Sequence, residues 1–489
     1  MDTYKFARYI IPDQETRWAT AEEVRASGTR VDLDAEKFPV GGLPILSNAR
    51  EAWVDGQDTH TIIFGATGSK KTRLFCMPML NIFAGAGESF IATDPKGELY
   101  SKTSGYVRSK GYNTYVLNFR DIGKGDMWNP LALPYELWHK GDKERATGLL
   151  NDFIRTIAAP QTERTADAFW PEMASAYALA NLLLLMECGT KAEANVTSLS
   201  KLCAQEAIDP LKRISEHMSP GSIAKINYDG VLVSAEKTRA SILVSLYGML
   251  RVFVTQKSLC GMLSGNTIDL ASAGRRKTAI YIIVPDEKTT YHFLVTTFIK
   301  QAYEILIGEA QKERNGRLPV RVNFVLDEFC NIPKIPDMPS MISAARSRNI
   351  RYYLVAQSKH QLVGRYGEDA DTIKGNCDNW VFLTSKEIDL LKEISELCGN
   401  IRVNGSTVRP LISTSELQRL DKQKGESLIM HARQYPYITE IADIDDYECF
   451  KGYPPVPLNT YTVPDAKVFD INKLLNDIMN DRRPVPFSD

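Results

Sequence analysis

One short stretch of the chain, residues 61 to 75 (TIIFGATGSKKTRLF), contains most of a phosphate-binding loop. Such a loop has the pattern G-x-x-x-x-G-K-[ST], in which the lysine reaches the β- and γ-phosphates and the final hydroxyl binds Mg²⁺. Gly65, Lys71 and Thr72 are in register, but Lys70 stands where the second glycine is expected. We therefore predict a nucleotide site with one unusual position. An ordinary turn between a strand and a helix is the alternative.

The surroundings of this loop favour a phosphate site. An apolar strand precedes it and a helix follows, so that backbone N–H groups converge at a helix N-terminus. Gly68 can supply a left-handed turn, whereas a lysine at position 70 adds strain, a Cβ atom and a cation. The residues predicted to bind the nucleotide are Gly65, Ala66, Thr67, Gly68, Ser69, Lys70, Lys71, Thr72 and Arg73.

A second signal is the acid pair Asp327 and Glu328, which ends the apolar strand within residues 320 to 333 (VRVNFVLDEFCNIP). An aspartate at such a strand end can hold a Mg²⁺ ion, and the adjacent glutamate can polarise an attacking water. We predict that Asp327 and Thr72 bind Mg²⁺ and that Glu328 and Lys71 are catalytic. Two solvated acids at a strand end are the alternative.

Further candidates lie downstream of the acid pair. Gln357 ends the strand IRYYLVAQ, where it can act as a catalytic residue that senses the γ-phosphate, or can cap the next helix. Arg346 and Arg348, with Arg351 nearby, can serve as an arginine finger for a neighbouring subunit or can contact a nucleic-acid backbone. A solvated helix end is the alternative for these arginines.

The composition is typical of a globular protein. The chain has 489 residues, 44% hydrophobic and 24% charged, with a formal charge of −1, which excludes a uniformly basic surface. Eight cysteines occur singly, a pattern typical of free thiols in a reducing compartment and without metal-site spacing. The apolar stretch 173 to 189 is shorter than a bilayer span, so we predict a buried helix there and no transmembrane segment.

Strand and helix patterns alternate over residues 61 to 119 and again over 278 to 385, which predicts a parallel sheet. Between about 140 and 270 the patterns are helical. The predicted fold class is therefore α/β, with an all-α domain inserted into a nucleotide-binding domain. The predicted segments are an N-terminal segment (1–40), the first part of the nucleotide-binding domain (41–140), the all-α domain (141–272), the second part (273–455) and a C-terminal tail (456–489).

Several motifs occur in an order that resembles the type IV coupling proteins of the TraG/VirD class. They are FGATGSKKTR, ATDPKGELY, GYNTYVLNF, WNPL, FWPEMA, VLDEFCNIPKIP, ISAARSRNIRYYLVAQSKHQL and RPLISTSEL. The resemblance covers about residues 40 to 450. It implies a RecA-like P-loop NTPase domain with an inserted all-α domain that recognises cargo, a homo-hexamer when active, and ATP with Mg²⁺ between subunits. It also implies that Lys71, Thr72, Asp327, Glu328 and Gln357 have the roles given above.

Two departures from the family pattern concern the membrane and Lys70. Family members usually begin with transmembrane helices, and the sequence has none. Either a separate membrane subunit anchors the protein or the anchor segment is missing from the sequence. The resemblance implies a cytoplasmic protein, peripheral at the inner face of the bacterial cytoplasmic membrane.

The sequence thus predicts an ATP-driven coupling protein of a type IV secretion or conjugation system. Its expected partners are DNA, single-stranded and carrying a relaxase, or secreted proteins, together with other components of the secretion system. Two alternatives stay open. One is an adaptor that recruits substrates but whose nucleotide site is impaired by Lys70, and the other is a DNA-pumping ATPase similar to FtsK or HerA.

Overall fold

The structure is a computed structural model that describes residues 16–162, 168–403 and 407–488. The strands in these residues are β1 (Thr29–Asp32), β2 (Leu43–Ser47), β3 (Glu51–Asp55), β4 (Thr61–Phe64), β5 (Ser89–Asp94), β6 (Asn113–Asn118), β7 (Thr278–Ile283), β8 (Val322–Leu326), β9 (Ile350–Ala356), β10 (Asn379–Phe382), β11 (Asn400–Val403), β12 (Thr407–Pro410), β13 (Glu426–His431) and β14 (Tyr437–Glu440).

The α-helices are α1 (Ala21–Ser27), α2 (Met77–Ala86), α3 (Glu98–Ser109), α4 (Ala132–His139), α5 (Lys143–Thr162), α6 (Phe169–Cys188), α7 (Val196–Leu202), α8 (Ile208–Ser215), α9 (Ile223–Leu232), α10 (Glu236–Thr255), α11 (Lys257–Met262), α12 (His292–Lys312), α13 (Met338–Ala345), α14 (Lys359–Tyr366), α15 (Asp369–Gly375), α16 (Ile388–Cys398), α17 (Thr414–Leu417) and α18 (Ile471–Met479).

A nine-stranded sheet with the order β14-β13-β10-β4-β9-β8-β5-β7-β6 forms the centre of the molecule. The strands from β10 to β6 are parallel, and β13 and β14 are antiparallel to their neighbours. Strands β4, β5, β7, β8 and β9 are buried along their whole length, because helices cover both faces of a parallel sheet. The predicted α/β class is confirmed.

Helices α4 to α11 lie between β6 and β7 in the chain. Helix α6 packs against α5, α9 and α10, so it is surrounded by other helices. The buried helix predicted over 173 to 189 is confirmed, because Leu182, Leu183, Leu184 and Leu185 of α6 are fully buried. Among the described residues, no helix combines the length and the apolar character that crossing a membrane requires.

The N-terminal region contains structure that the weak sequence pattern did not predict. Helix α1 begins with a capping box formed by Thr20 and Glu23, and β1, β3 and β2 form a small antiparallel sheet. These strands have only four or five residues each, too few for a clear alternation of apolar and polar positions. Part of the N-terminal segment predicted over 1–40 lies outside the described residues.

The C-terminal residues connect the sheet with the helical region. The N–H of Gly125 donates to the carbonyl oxygen of Asn459 across 2.7 Å, and the N–H of Phe469 donates to Ser198 of α7 across 3.0 Å. Helix α18 then packs against α8 and buries Leu474. This tail therefore runs from one region to the other.

Candidate nucleotide site

Three neighbouring strands position the predicted site residues. Residues 65 to 71 follow β4, Gln357 follows β9, and the acid pair follows β8. Because β9 lies between β4 and β8, Gln357 lies between the loop and the acids. The side-chain oxygen Oε1 of Gln357 accepts a hydrogen bond from Thr67 Oγ1 (3.0 Å), and its Nε2 donates to Glu328 Oε2 (2.7 Å). The structure thus brings the loop, Gln357 and Glu328 together.

The predicted metal ligands are also in contact. Thr72 Oγ1 donates a hydrogen bond to Asp327 Oδ2 across 2.8 Å. Lys71 is buried, and its ammonium donates to the carbonyl oxygen of Gly65 at 2.5 Å, within the same loop. The threonine hydroxyl, the aspartate carboxylate and the lysine ammonium are the groups that a P-loop uses to hold Mg²⁺ and phosphate.

The backbone of the loop explains how Lys70 is accommodated. Lys70 has φ 68°, in the left-handed region that glycine enters freely. It therefore keeps the backbone that a glycine would have, at a cost of about 1–2 kcal/mol. Its side chain leaves the loop, and Nζ lies 3.8 Å from Asp443. Position 65 has no room for a side chain, because a Cβ atom there would lie 2.5 Å from Ser69 Oγ.

An unsatisfied polar atom tests whether the loop fits a phosphate group. Ser69 Oγ is buried and has no hydrogen-bond partner in the structure. A buried hydroxyl without a partner is costly, and a phosphate oxygen would satisfy it. The residues present therefore fit a bound nucleotide.

Burial dominates the electrostatics of the acid pair. Burial and the nearby Glu328 carboxylate raise the pKa of Asp327 to about 6, against the hydrogen bond from Thr72 and the charge of Lys71. A divalent cation at this position would favour the ionised carboxylate. Glu328 has φ 53°, and its N–H donates to Asp327 Oδ1 across 3.0 Å. A non-glycine residue with this backbone indicates strain of the kind that clusters at functional sites.

The end of β5 supports the acid pair, a role that the sequence did not reveal. Thr93 Oγ1 donates to the carbonyl oxygen of Asp327 across 2.8 Å. Asp94 accepts a hydrogen bond from the N–H of Tyr100 (2.8 Å) at the start of α3. Burial raises the pKa of Asp94 to about 6, although backbone N–H groups of the same turn oppose this. The first residue of the motif DPKGE, Asp94, thus binds a backbone N–H of the first turn of α3. The neighbouring Thr93 contacts Asp327.

The predicted arginines lie elsewhere. Arg346 and Arg348 form a 3₁₀ turn that precedes β9, whereas Gln357 follows it. Since β9 has seven residues at about 3.3 Å each, roughly 20 Å separates them from the loop. Arg346 pairs with Asp378, and Arg348 Nη1 donates to the carbonyl oxygen of Gly316 (3.4 Å). The structure does not bring these two arginines to the candidate site of their own chain.

Two other arginines have partners that the sequence did not reveal. Arg351 is buried and pairs with Glu88, so it is not exposed to a nucleic-acid backbone. Arg73, predicted to bind the nucleotide, pairs with Asp443 and Asp445. Asp443 lies 370 residues after Arg73, and no local pattern marks it as a neighbour of the loop.

Comparisons with known proteins identify the family of the chain. The sequence model of the family described as "Type IV secretory system Conjugative DNA transfer" matches residues 21–433. Two relatives are conjugal transfer proteins TraG of Escherichia coli, 25% and 23% identical over 73% and 82% of this chain. A third is the type IV secretion system-coupling protein VirD4 of Bartonella henselae, 22% identical over 82% of this chain. The chain spans 56% to 66% of the length of these relatives.

Solved structures of the plasmid coupling protein TrwB have the same fold. TrwB with a non-hydrolysable ATP analogue has a TM-score of 0.63 at 13% identity, over 95% of this chain and 97% of the other. TrwB with ADP and Mg²⁺ has a TM-score of 0.61 at 13% identity, over 96% and 99%. These likenesses confirm the predicted fold, a RecA-like domain with a helical insertion. With the family match over most of the sequence, they lead to one conclusion: the chain belongs to the family of type IV secretory system proteins for conjugative DNA transfer.

Proposed function

We propose that this protein is a P-loop ATPase that acts as a coupling protein of a type IV secretion or conjugation system. It binds ATP with Mg²⁺, recruits DNA carrying a relaxase or a protein substrate, and uses ATP hydrolysis to drive transfer. The observation that carries the proposal is the hydrogen-bonded series from Thr67 through Gln357 to Glu328 beside the contact of Thr72 with Asp327.

Each residue has a role that follows from its position. When bound, Mg²⁺–ATP supplies the phosphoanhydride bond whose hydrolysis drives the work. Lys71 holds the phosphates after giving up its present contact with Gly65, and Thr72 with Asp327 holds the metal ion. Glu328 accepts the proton of the attacking water, and Gln357 orients the Glu328 carboxylate through their hydrogen bond.

The backbone of Lys70 supports an active loop over an impaired adaptor. A lysine that displaced the loop would separate Thr72 from Asp327, yet these residues are in contact. Lys70 adopts the left-handed conformation that its position requires and turns its side chain away.

We also propose that the active form is a ring of identical subunits, a hexamer. Arg346 and Arg348 are at the opposite edge of the sheet from the site of their own chain, so they can meet a nucleotide only across a subunit boundary. In this arrangement they act as arginine fingers or contact DNA. Attachment to the inner face of the bacterial membrane, through a separate subunit, belongs to the same proposal.

ATP hydrolysis by the purified protein, with and without single-stranded DNA, tests this function. We expect weak turnover that rises with DNA or with assembly, and loss of turnover in Lys71→Ala and Glu328→Gln. Lys257→Ala, which changes an exposed lysine of the helical region, is the matched control and keeps turnover. Turnover equal in wild type and Lys71→Ala would contradict the proposal. So would a wild-type protein that neither binds nor hydrolyses ATP in its assembled form.

A further inference from the structure

A cluster of charges surrounds the outer side of the phosphate-binding loop. Lys70 comes from the loop, and Arg73 comes from the π turn that follows it (Thr72–Cys76). Asp443 and Asp445 belong to the 3₁₀ turn after β14 (Ile444–Asp446), which Asp443 caps. Arg73 Nε donates to Asp443 Oδ2 across 3.0 Å, and its Nη2 donates to both aspartates. Lys102 of α3 also pairs with Asp445, at 3.0 Å. The function of the site does not account for this cluster.

The turn that carries Asp443 is rigidly placed. Asp443 begins the turn with a capping box, in which its N–H donates to Asp446 Oδ2 across 3.0 Å. Ile444 and Tyr447 are buried beneath the turn, and the Tyr447 hydroxyl donates to Ser47 Oγ of β2 across 2.8 Å. The Asp443 side chain is only 16% exposed. The position of this carboxylate is therefore fixed by the fold.

The two cations contact Asp443 in different ways. Arg73 makes a close, two-pronged contact, which gives Asp443 two charge-assisted hydrogen bonds. Lys70 Nζ stands at 3.8 Å, beyond hydrogen-bond distance, and 25% of its side chain is exposed. Lys70 can therefore leave Asp443 at little cost, because Arg73 stays. A lysine also has a long flexible stem with a compact charge at its end.

We propose that Asp443 is a positioning residue that holds the Lys70 ammonium outside the phosphate-binding loop, and that Lys70 moves to the nucleotide phosphates as a second loop cation when ATP binds. The inference rests on the proposed function, because it needs a nucleotide at this loop. The highly charged triphosphate attracts Lys70 more strongly than one carboxylate already paired with Arg73. The lysine at the glycine position then contributes to nucleotide affinity rather than impairing it.

A double-mutant cycle on nucleotide binding tests the inference. The probe is the fluorescent nucleotide mant-ATP with Mg²⁺ at low salt, and the readout is its Kd. Lys70→Ala keeps the Cβ atom and removes the cation, so we expect a Kd weakened about fivefold. Asp443→Asn keeps the cap of the turn and frees Lys70, so we expect a Kd tightened about threefold in the wild-type background. In the Lys70→Ala background, Asp443→Asn leaves the Kd unchanged.

Asp445→Asn is the matched control. It removes one negative charge beside Arg73, as Asp443→Asn does, but Asp445 has no contact with Lys70. We expect it to leave the Kd within twofold of wild type, and we expect high salt to reduce the effect of Lys70→Ala. Equal effects of the two asparagine variants, or an effect of Asp443→Asn that persists without Lys70, would overturn the inference.

The failure of this inference can be told apart from failure of the proposed function. If wild type binds mant-ATP and Lys71→Ala does not, the nucleotide site stands and the cycle alone decides the role of Lys70. If neither protein binds mant-ATP, both the function and the inference are wrong.

Discussion

The hydroxyl of Thr72 lies 2.8 Å from the carboxylate of Asp327, although 255 residues separate them in the chain. The contact joins the start of the π turn after the phosphate-binding loop to the end of β8. Both groups face one point, where a cation would be bound by a hydroxyl oxygen and a carboxylate oxygen. The fold thus brings together the two side chains that we propose as ligands of Mg²⁺, and a bound metal ion would replace the hydrogen bond between them.

Thr72→Val should raise the Mg²⁺ concentration that ATP hydrolysis requires. Valine keeps the branched shape but has no oxygen, so one metal ligand is lost and Asp327 loses its hydrogen bond. We expect the Mg²⁺ concentration that supports half-maximal ATP hydrolysis to rise tenfold or more. Thr72→Ser, which keeps the hydroxyl, should stay within a fewfold of wild type. Equal losses in the two variants would show that Thr72 contributes packing only.

Glu328→Gln should separate binding from hydrolysis. Glutamine keeps the size of the side chain and the contact with Gln357 but accepts no proton, so we expect turnover to fall about 10²-fold or more. The Kd for mant-ATP should stay within threefold of wild type, since Glu328 does not face the loop directly. Gln357→Ala should lower turnover less, because it removes the orientation of Glu328 and leaves its carboxylate. A Glu328→Gln variant with normal turnover would contradict the role of Glu328.

The central part of the fold and the acid pair could be predicted from the sequence for one physical reason. Strands of a covered parallel sheet are apolar throughout, so a strand such as β8 is conspicuous, and the acids Asp327 and Glu328 at its end stand out. The phosphate-binding loop could be predicted because Gly65, Lys71 and Thr72 have the fixed spacing of the pattern G-x-x-x-x-G-K-[ST]. Because parallel strands end at one edge, the sequence could also place Gln357 near both.

Contacts that do not follow from the ends of the parallel strands could not be predicted. Asp443 lies in a short turn of acidic residues, and nothing in that local pattern reveals its contact with Arg73. Arg346 and Arg348 directly precede β9, so a parallel sheet already implies that they lie at the edge opposite Gln357. What the sequence does not show is their contacts with Asp378 and Gly316. The burial of Arg351 depends on Glu88, which is at the start of β5 and far away in sequence.

Lys70→Gly should stabilise the nucleotide-free protein. Glycine adopts the left-handed backbone of position 70 without the clash of a Cβ atom, so we expect the free energy of unfolding to rise by about 1 kcal/mol. The larger entropy of glycine in the unfolded chain offsets part of this gain. Lys70→Ala keeps the Cβ atom and should give no gain. Urea denaturation of the three proteins compares them, and a gain of equal size in Lys70→Ala would indicate that relief of charge, rather than of backbone strain, is responsible.

Lys300 is expected to hold the helical region against the segment that follows the acid pair. Its side chain is 8% exposed, and its ammonium lies 2.8 Å from Asp337, 3.4 Å from Glu304 and 3.9 Å from Asp152. Asp152 belongs to α5 of the helical region, whereas Asp337 directly precedes α13. Burial alone would lower the pKa of Lys300, but the hydrogen bond to Asp337 and the charges of the other two acids raise it.

Lys300→Met keeps the length of the stem and removes the charge, which leaves three carboxylates close together without their shared cation. We expect the free energy of unfolding to fall by about 2 kcal/mol. This value lies between the contributions of exposed and of fully buried ion pairs, because Asp337 is itself 66% exposed. The midpoint of urea denaturation measures this loss. Lys257→Met breaks the pair with Asp465, in which both side chains are more than 80% exposed, and should change the midpoint little. Similar midpoints for the two variants would mean that Lys300 does not connect the two regions.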